Sequence, residues 1–224
     1  MSAEVYDFDA YIEQQDEEAD GCTIAEVVRC MKVVWQNERV APLILPHRFE
    51  YVDVLQAQIV KRDQEIEEGR KNGVEDEFRG AKKYEVARVR YMVNSYLRTR
   101  LQKIERNPAA VMARHLECHN KGKPDLLDAH EVTYAENIVR SNLNFFNESF
   151  LSLLPPGFNV PVVTKDRSEM KRCFVKVSQS VNVTIGKMTD PNLDTMVALP
   201  AGTLHYVPFY SIQDYIDDGS VTLM

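Results

Sequence analysis

Arg88, Tyr91, Ser95, Arg98, Gln102 and Arg106 recur at spacings that put them on one face of an α-helix. Arg, Tyr and Ser make directional hydrogen bonds to carboxylates and carbonyls, and Arg and Tyr concentrate at the centres of protein interfaces. The chemistry on offer is therefore recognition, with no bond made or broken. On the other side of the same helix Val86, Val89, Val93, Leu97 and Ile104 form an apolar stripe. Val86, Val93 and Ile104 lie near its centre, with Val89, Tyr96 and Leu97 on its flanks. From Arg79 to Arg106 the segment carries nine Lys or Arg against two Glu. An ordinary surface helix pairs one apolar face with a bland polar one, and this helix does not. The candidate subunit-contact residues are Arg88, Arg90, Tyr91, Ser95, Tyr96, Leu97, Arg98 and Arg100. Arg98 and Arg100 stand about 160° apart around the axis, so they are expected to meet different neighbours.

Three roles fit such a helix. It could pack against another subunit, it could offer its cations to phosphates with Tyr91 and Tyr96 stacking on bases, or its charges could simply be solvated. Interleaving of the cations with a stripe that must be buried favours the first. Catalytic constellations are absent from the sequence. No G-x-x-x-x-G-K-[ST], G-x-G-x-x-G or G-x-S-x-G occurs, and the nine glycines do not cluster. His115, Cys118 and His119 are the one group of metal-ligand types, with His130 the only nearby addition, short of a secure zinc set. Asp217-Asp218 and Glu67-Glu68 read as solvated surface. No enzyme activity, cofactor or metal is expected.

The elements that position this helix are readable from caps and period. Thr23-Ile24-Ala25-Glu26 is a capping box that opens a helix with Val27, Met31, Val34 and Trp35 on its apolar side, closed by Pro42 and Pro46. A second helix runs from about Phe49, with Val52, Leu55, Ile59 and Ile66 as its stripe, and stops at Asn72-Gly73. The basic helix spans about Asp76 to Arg106. Pro108 suits the first turn of a fourth helix. Asp128-Ala129-His130-Glu131 caps a fifth, whose stripe is Val132, Ala135, Val139, Leu143, Phe146, Phe150 and Leu153, ended by Pro155-Pro156-Gly157. The period then changes to two. Strands are expected at 173–177, 181–185, 195–199 and 203–209, with a turn at Pro200-Ala201-Gly202, a short helix capped by Ser211 and a last strand at 221–224. The fold class is α+β: an N-terminal all-helical bundle domain followed by a small β-rich C-terminal domain. The domain division is an acidic leader at 1–20, a helical domain at 21–154, a linker at 155–170 and a β-rich domain at 171–224.

The formal net charge is −7, but eight of the 34 acids lie in residues 1–20, which contain no Lys or Arg. The rest of the chain is nearly neutral. Such a leader argues against duplex binding at that end and suits either a solvated arm or a short docking peptide. Asp7, Phe8, Asp9, Tyr11, Ile12 and Glu13 would be the docking residues. No run reaches the roughly 18 apolar residues of a membrane span. No basic region leads into an apolar one at the N-terminus, so four scattered cysteines read as reduced thiols in cytosol or nucleus, and the triplets at Asn147 and Asn182 as meaningless for glycosylation.

Arg88-x-Arg90-Tyr91 followed by Ser95-Tyr96-Leu97-Arg98-x-Arg100-Leu101-x-Lys103-Ile104-Glu105 resembles the signature helix of the Sld-five type of GINS subunit, the one numbered four. The likeness extends to Trp35-Gln36-Asn37-Glu38 before an Ala41-Pro42 break, to Leu153-Leu154-Pro155-Pro156 after the late helix, and to the β-rich end. It implies a non-catalytic scaffold in a nuclear heterotetramer with three paralogous GINS subunits. That tetramer joins the MCM ring and the Cdc forty-five protein into the replicative helicase, with ATP hydrolysis left to the ring and DNA contact indirect or weak at most. It further implies that the leader docks on the trimeric replisome hub, although aromatics stand here where the family's peptide has aliphatics and only Ile12 matches. The other readings are a nucleic-acid-binding protein using helix 79–106 and a generic helical adaptor.

Overall fold

The structure, a computed structural model, describes residues 23–71, 79–155, 168–187 and 190–224. Among the described residues five helices come first: α1 (Ile24–Val40), α2 (Phe49–Lys71), α3 (Arg79–Arg106), α4 (Pro108–Asn120) and α5 (Ala129–Ser149). They are followed by β1 (Arg172–Val177), β2 (Val181–Lys187), β3 (Asp190–Leu199), β4 (Leu204–Pro208), the short α6 (Gln213–Asp217) and β5 (Val221–Leu223). A helical region thus precedes a small antiparallel strand region, as the change of period indicates. None of the described helices is long and apolar enough to cross a membrane. The leader and most of the expected linker lie outside the described residues.

The helix starts are set by side chains that satisfy the free N–H groups of the first turn. Thr23 Oγ1 accepts from the Glu26 N–H at 3.3 Å, and Glu26 Oε2 accepts from the Thr23 N–H at 2.9 Å. Asp128 and Glu131 form the same reciprocal box at α5. Asn107 caps α4 ahead of Pro108 in its first turn. One cap differs from expectation. Ser211 lies in a 3-10 turn and donates back to the Pro208 carbonyl at 2.7 Å, so α6 begins after Ile212 without a side-chain cap.

The described residues fall into two compact units, one of 23–35, 48–71 and 79–97, the other of 36–47 and the described residues from Arg98 onward. In the first, Val27 and Met31 of α1, Val52 and Leu55 of α2, and Met92, Val93 and Tyr96 of α3 form the core. Tyr96 is expected on the flank of its stripe but is fully buried. Its ring adds to the core, and its hydroxyl accepts from the Arg48 N–H at 3.3 Å, so the polar tip is satisfied.

In the second unit, Ile44, Ile104, Cys118, Leu126, Leu127 and Ala135 pack together. A further core is made by the strands. β4, β1 and β5 form an antiparallel sheet in that order, and β2 pairs with β3. β1 alternates strictly: Cys173, Val175 and Val177 point inward and Arg172, Phe174 and Lys176 outward. The inner side chains close over Val183, Leu199, Phe209, Ile212 and Ile216, and also over Ala41 and Leu45 from the segment after α1. Gly202 (φ +80°) and Gly219 (φ +74°) supply the left-handed turns before β4 and β5.

The strand block therefore shares its core with residues of the chain's first quarter, and the compact units do not divide where the period changes. A helical domain at 21–154 and a separate β-rich domain at 171–224 remain a proposal. Asn37 is a direct probe of how tightly β5 is tied to this segment. It is buried, and its Oδ1 accepts from the Leu223 N–H at 2.9 Å, while Gln36 Nε2 donates to the Leu223 carbonyl at 2.8 Å. Asn37→Ala orphans the buried Leu223 N–H and is expected to cost about 1–3 kcal/mol. An unchanged urea midpoint would mean that β5 holds without this tether.

Candidate protein-interaction site

α3 presents two kinds of Arg. Arg100 lies on the buried side, fully inaccessible, with every arm of its guanidinium engaged. Nε and Nη2 donate to the two carboxylate oxygens of Glu131 at 2.8 and 2.7 Å. Nη2 also donates to the Leu126 carbonyl at 2.6 Å, and Nη1 donates to the Leu45 carbonyl at 2.8 Å and to Glu38 Oε2 at 3.3 Å. Lys103, one turn on, donates to Glu38 Oε1 at 2.7 Å and to the Leu43 carbonyl at 2.9 Å. Burial pulls the Lys103 ammonium below the usual lysine range, and Glu38 works against that pull. Two cations meet two carboxylates, so the network is neutral. It ties the end of α1, the 41–47 segment, the loop before α5 and α5 itself to α3.

The candidate contact set consequently divides. Tyr96 and Arg100 are interior and brace the fold, so the surface they were expected to help form does not include them. Ser95 and Leu97 are half-buried. Arg88, Arg90, Tyr91 and Arg98 are exposed. Arg90 is joined to Asp63 of α2 by a close ion pair. Tyr91 is 64 % exposed and is held edge-on against Trp35, with ring centroids 6.4 Å apart. Trp35 in turn donates through Nε1 to Ser95 Oγ at 3.0 Å. Tyr84, seven residues before Tyr91, is exposed on the same side. Sequence reading missed Tyr84 as part of the face and Trp35 as its brace. The i, i+7 spacing of the two tyrosines was a usable signal for the first.

α5 carries a second feature. Among the described residues only its first half packs within the chain, through Glu131 and Ala135 with Val132, Tyr134 and Ile138 beside them. No residue from Arg140 to Phe150 is buried. Leu143, Phe145, Phe146 and Phe150 lie in that exposed stretch, and Phe145 is 65 % accessible. The rings touch one another, Phe145 to Phe146 at 5.7 Å and Phe146 to Phe150 at 5.9 Å between centroids. The helical stripe Val132, Ala135, Val139, Leu143, Phe146, Phe150 and Leu153 enters the core only through Val132 and Ala135.

His115 and His119 have local duties. The His115 ring accepts from the Leu127 N–H at 3.4 Å, and His119 sits 3.0 Å from Asp125. Among the described residues no group of three or more His, Cys, Asp or Glu could hold a metal ion.

Residues 54–150 match the family model for the Sld5 GINS complex protein helical bundle domain, a span that takes in most of α2 and all of α3 to α5. The likeness to whole proteins is longer. The chain is 24 % identical to the Xenopus laevis DNA replication complex GINS protein SLD5, over 93 % of this chain and 95 % of that protein. It is 26 % identical to the human protein of the same name, over 90 % and 91 % of the two chains, and 23 % identical to the Arabidopsis thaliana one, over 88 % and 90 %. Over residues 54–150 the chain resembles the Sld5 helical bundle domain of GINS proteins, and along most of its length it resembles the SLD5 proteins themselves. The family match contains both the Arg and Tyr face of α3 and the bare end of α5, so the two candidate contact surfaces sit on the family's own helical bundle.

Proposed function

We propose that this chain is a non-catalytic scaffold subunit of a nuclear, heterotetrameric GINS complex in DNA replication. Three paralogous subunits complete the tetramer, which joins the MCM ring and the Cdc forty-five protein and favours the active arrangement of the ring by binding it better than the alternatives. The observation that carries this reading is the end of α5. A helix with Leu143, Phe145, Phe146 and Phe150 all left in solvent is an incomplete interface. The exposed residues of α3, Arg88, Arg90, Tyr91 and Arg98, with Ser95 and Leu97 at their border, supply a directional polar surface of the type enriched at interfaces. The test is co-purification of the tagged full chain. Three paralogous subunits in equal amounts are expected. A monodisperse, cooperatively folding monomer at micromolar concentration would sink the proposal.

The rival reading, nucleic-acid binding by helix 79–106, is weakened by where the cations point. Arg90, Arg100 and Lys103 each have a carboxylate partner within the chain, which removes them from service to phosphates. A generic helical adaptor would not bring three paralogues with it.

The leader residues Asp7, Phe8, Asp9, Tyr11, Ile12 and Glu13 lie outside the described residues. We propose that they dock on the trimeric replisome hub. Deleting residues 1–20 should leave thermal stability and tetramer assembly unchanged and abolish hub binding, which for so small an anchor set is expected near micromolar. Loss of assembly would place the leader in the fold, and undiminished hub binding would reduce it to a solvated tail.

A further inference from the structure

β4 is an edge strand, and its outer rim is open. In the ladder with β1, the Val177 N–H donates to the Thr203 carbonyl and the Phe209 N–H to the Lys171 carbonyl. The odd-numbered residues of β4 therefore spend their main-chain groups on β1, and Leu204 and Tyr206 direct theirs away from it. Among the described residues no backbone partner meets the N–H or C=O of either. The opposite edge, on β5, is closed by Asn37 and Gln36. Proteins ordinarily protect open edges with Pro, charge or a covering element. Here Pro208 blunts only the last position.

The side chains along this rim are equally bare. Leu204 is 63 % and Tyr206 54 % exposed, and Phe174, across from Tyr206, is 60 % exposed. The Phe174 and Tyr206 rings lie 4.7 Å apart. Arg172 reaches over the Tyr206 ring, 6.0 Å from its centroid, and Lys176 stands opposite Leu204. No Asp or Glu occupies an outward position of β1, β4 or β5, so this face is cationic and apolar together. The inner side of β4 differs: His205 is half-buried and Val207 is buried in the strand core.

We propose that the β4 rim accepts an extended peptide of a partner chain as an added strand, one whose residues alternate acidic and apolar. Leu204 and Tyr206 supply the main-chain hydrogen bonds. The outward side chains of the added strand lie beside Leu204 and Tyr206, where their methylenes cover the rings and their carboxylates meet Arg172 and Lys176. Its inward side chains extend the apolar layer beyond Val207. The inference concerns the strand region and does not depend on the assembly role of α3 and α5. Nucleic acid fits less well, because the rim's unpaired amides and carbonyls and the aliphatic Leu204 ask for a strand.

The test tethers the full chain at low density to a biosensor surface, which prevents self-association, and titrates a synthetic peptide of alternating Glu and Val. It should bind at least about tenfold more tightly than an alternating Lys and Val peptide, because the face carries two cations and no acid. N-methylation of alternate peptide amides, which blocks one hydrogen-bonding edge of the probe and leaves its charge intact, should weaken binding by a similar factor, about tenfold. Leu204→Pro should do the same from the protein side, since its N–H faces solvent and Pro is tolerated there. Absence of Glu/Val binding, indifference to peptide charge, or indifference to N-methylation overturns the proposal, and the last of these does not require any variant to fold. Tighter binding of oligothymidylate, lost in Tyr206→Ala, overturns it in favour of a base-stacking surface.

Discussion

Arg100→Ala is expected to destabilise the chain by about 3–5 kcal/mol, the loss that follows when one partner of a buried ion pair is removed. With typical domain stabilities of roughly 5–15 kcal/mol, that is enough to leave much of the second unit unfolded. The Ala side chain strands Glu131 and half of Glu38 as buried carboxylates and leaves the Leu45 and Leu126 carbonyls unpaired. Arg100→Lys keeps the charge, but a single ammonium cannot reproduce a planar fork that serves two carboxylates and two carbonyls, so it should also be destabilised. Replacing Arg100 and Glu131 together by apolar residues removes the stranded charge. It still leaves both carbonyls without a donor, and the Asp128 N–H, which donates to Glu131 Oε2 at 3.2 Å, without its acceptor. The double replacement is therefore expected to stay below wild type, unlike ion pairs that can be exchanged for packing at no loss. Arg98→Ala, two residues away on the exposed side, should change stability by less than about 0.5 kcal/mol. Urea titration followed by far-ultraviolet circular dichroism separates the two. Equal and small effects at Arg98 and Arg100 would mean that the network contributes nothing to folding.

The contrast between these two arginines marks how far the sequence could be read. Caps and period placed the five long helices, because boxes such as Thr23 with Glu26 and Asp128 with Glu131 act over one turn and need no tertiary information, whereas the cap expected for the short α6 was misplaced. The change to period two marked the strands from local pattern alone, although β3 begins at Asp190, ahead of the expected 195–199. Arg100 was legible in part. It stands seven residues after Val93 and four before Ile104, within the apolar stripe, and a cation there must find partners inside the chain. Those partners were not legible. Glu131 and Glu38 lie 31 and 62 residues away, and nothing in local spacing joins them to α3. Glu131 was readable only in its second duty, as a cap. Tyr96 failed in the opposite way. Its place around the helix put it on the flank of the stripe, and a backbone N–H brought by Arg48 satisfies its hydroxyl in the core. The late helix shows a different limit. Periodicity reports that a stripe is apolar, and it does not report whose chain covers it.

That last point gives the second large effect. Phe145→Glu with Phe146→Glu is expected to abolish co-purification of the partner subunits while leaving the chain's own fold intact. The fold should survive because neither ring enters any of the three buried clusters, and their aromatic contacts are with each other and with Phe150. Burial of a Phe side chain is worth roughly 1.5–3 kcal/mol, and central aromatic anchors commonly cost 2 kcal/mol or more when truncated. Two of them, replaced by charges that would have to be desolvated, should weaken assembly by about a thousandfold or more. The same double variant should reduce self-association of the isolated chain, since an exposed apolar patch of this kind favours non-specific association. Size-exclusion chromatography of the isolated chain and pull-down of the co-expressed subunits measure the two outcomes separately. A variant that still gathers its partners in full would show that the bare end of α5 is not where they bind, and would shift the interface to the Arg and Tyr face of α3. A variant that loses both partners and fold would show that the exposed rings support α5 itself. Unchanged circular dichroism together with lost pull-down is the result that assigns this helix end to assembly.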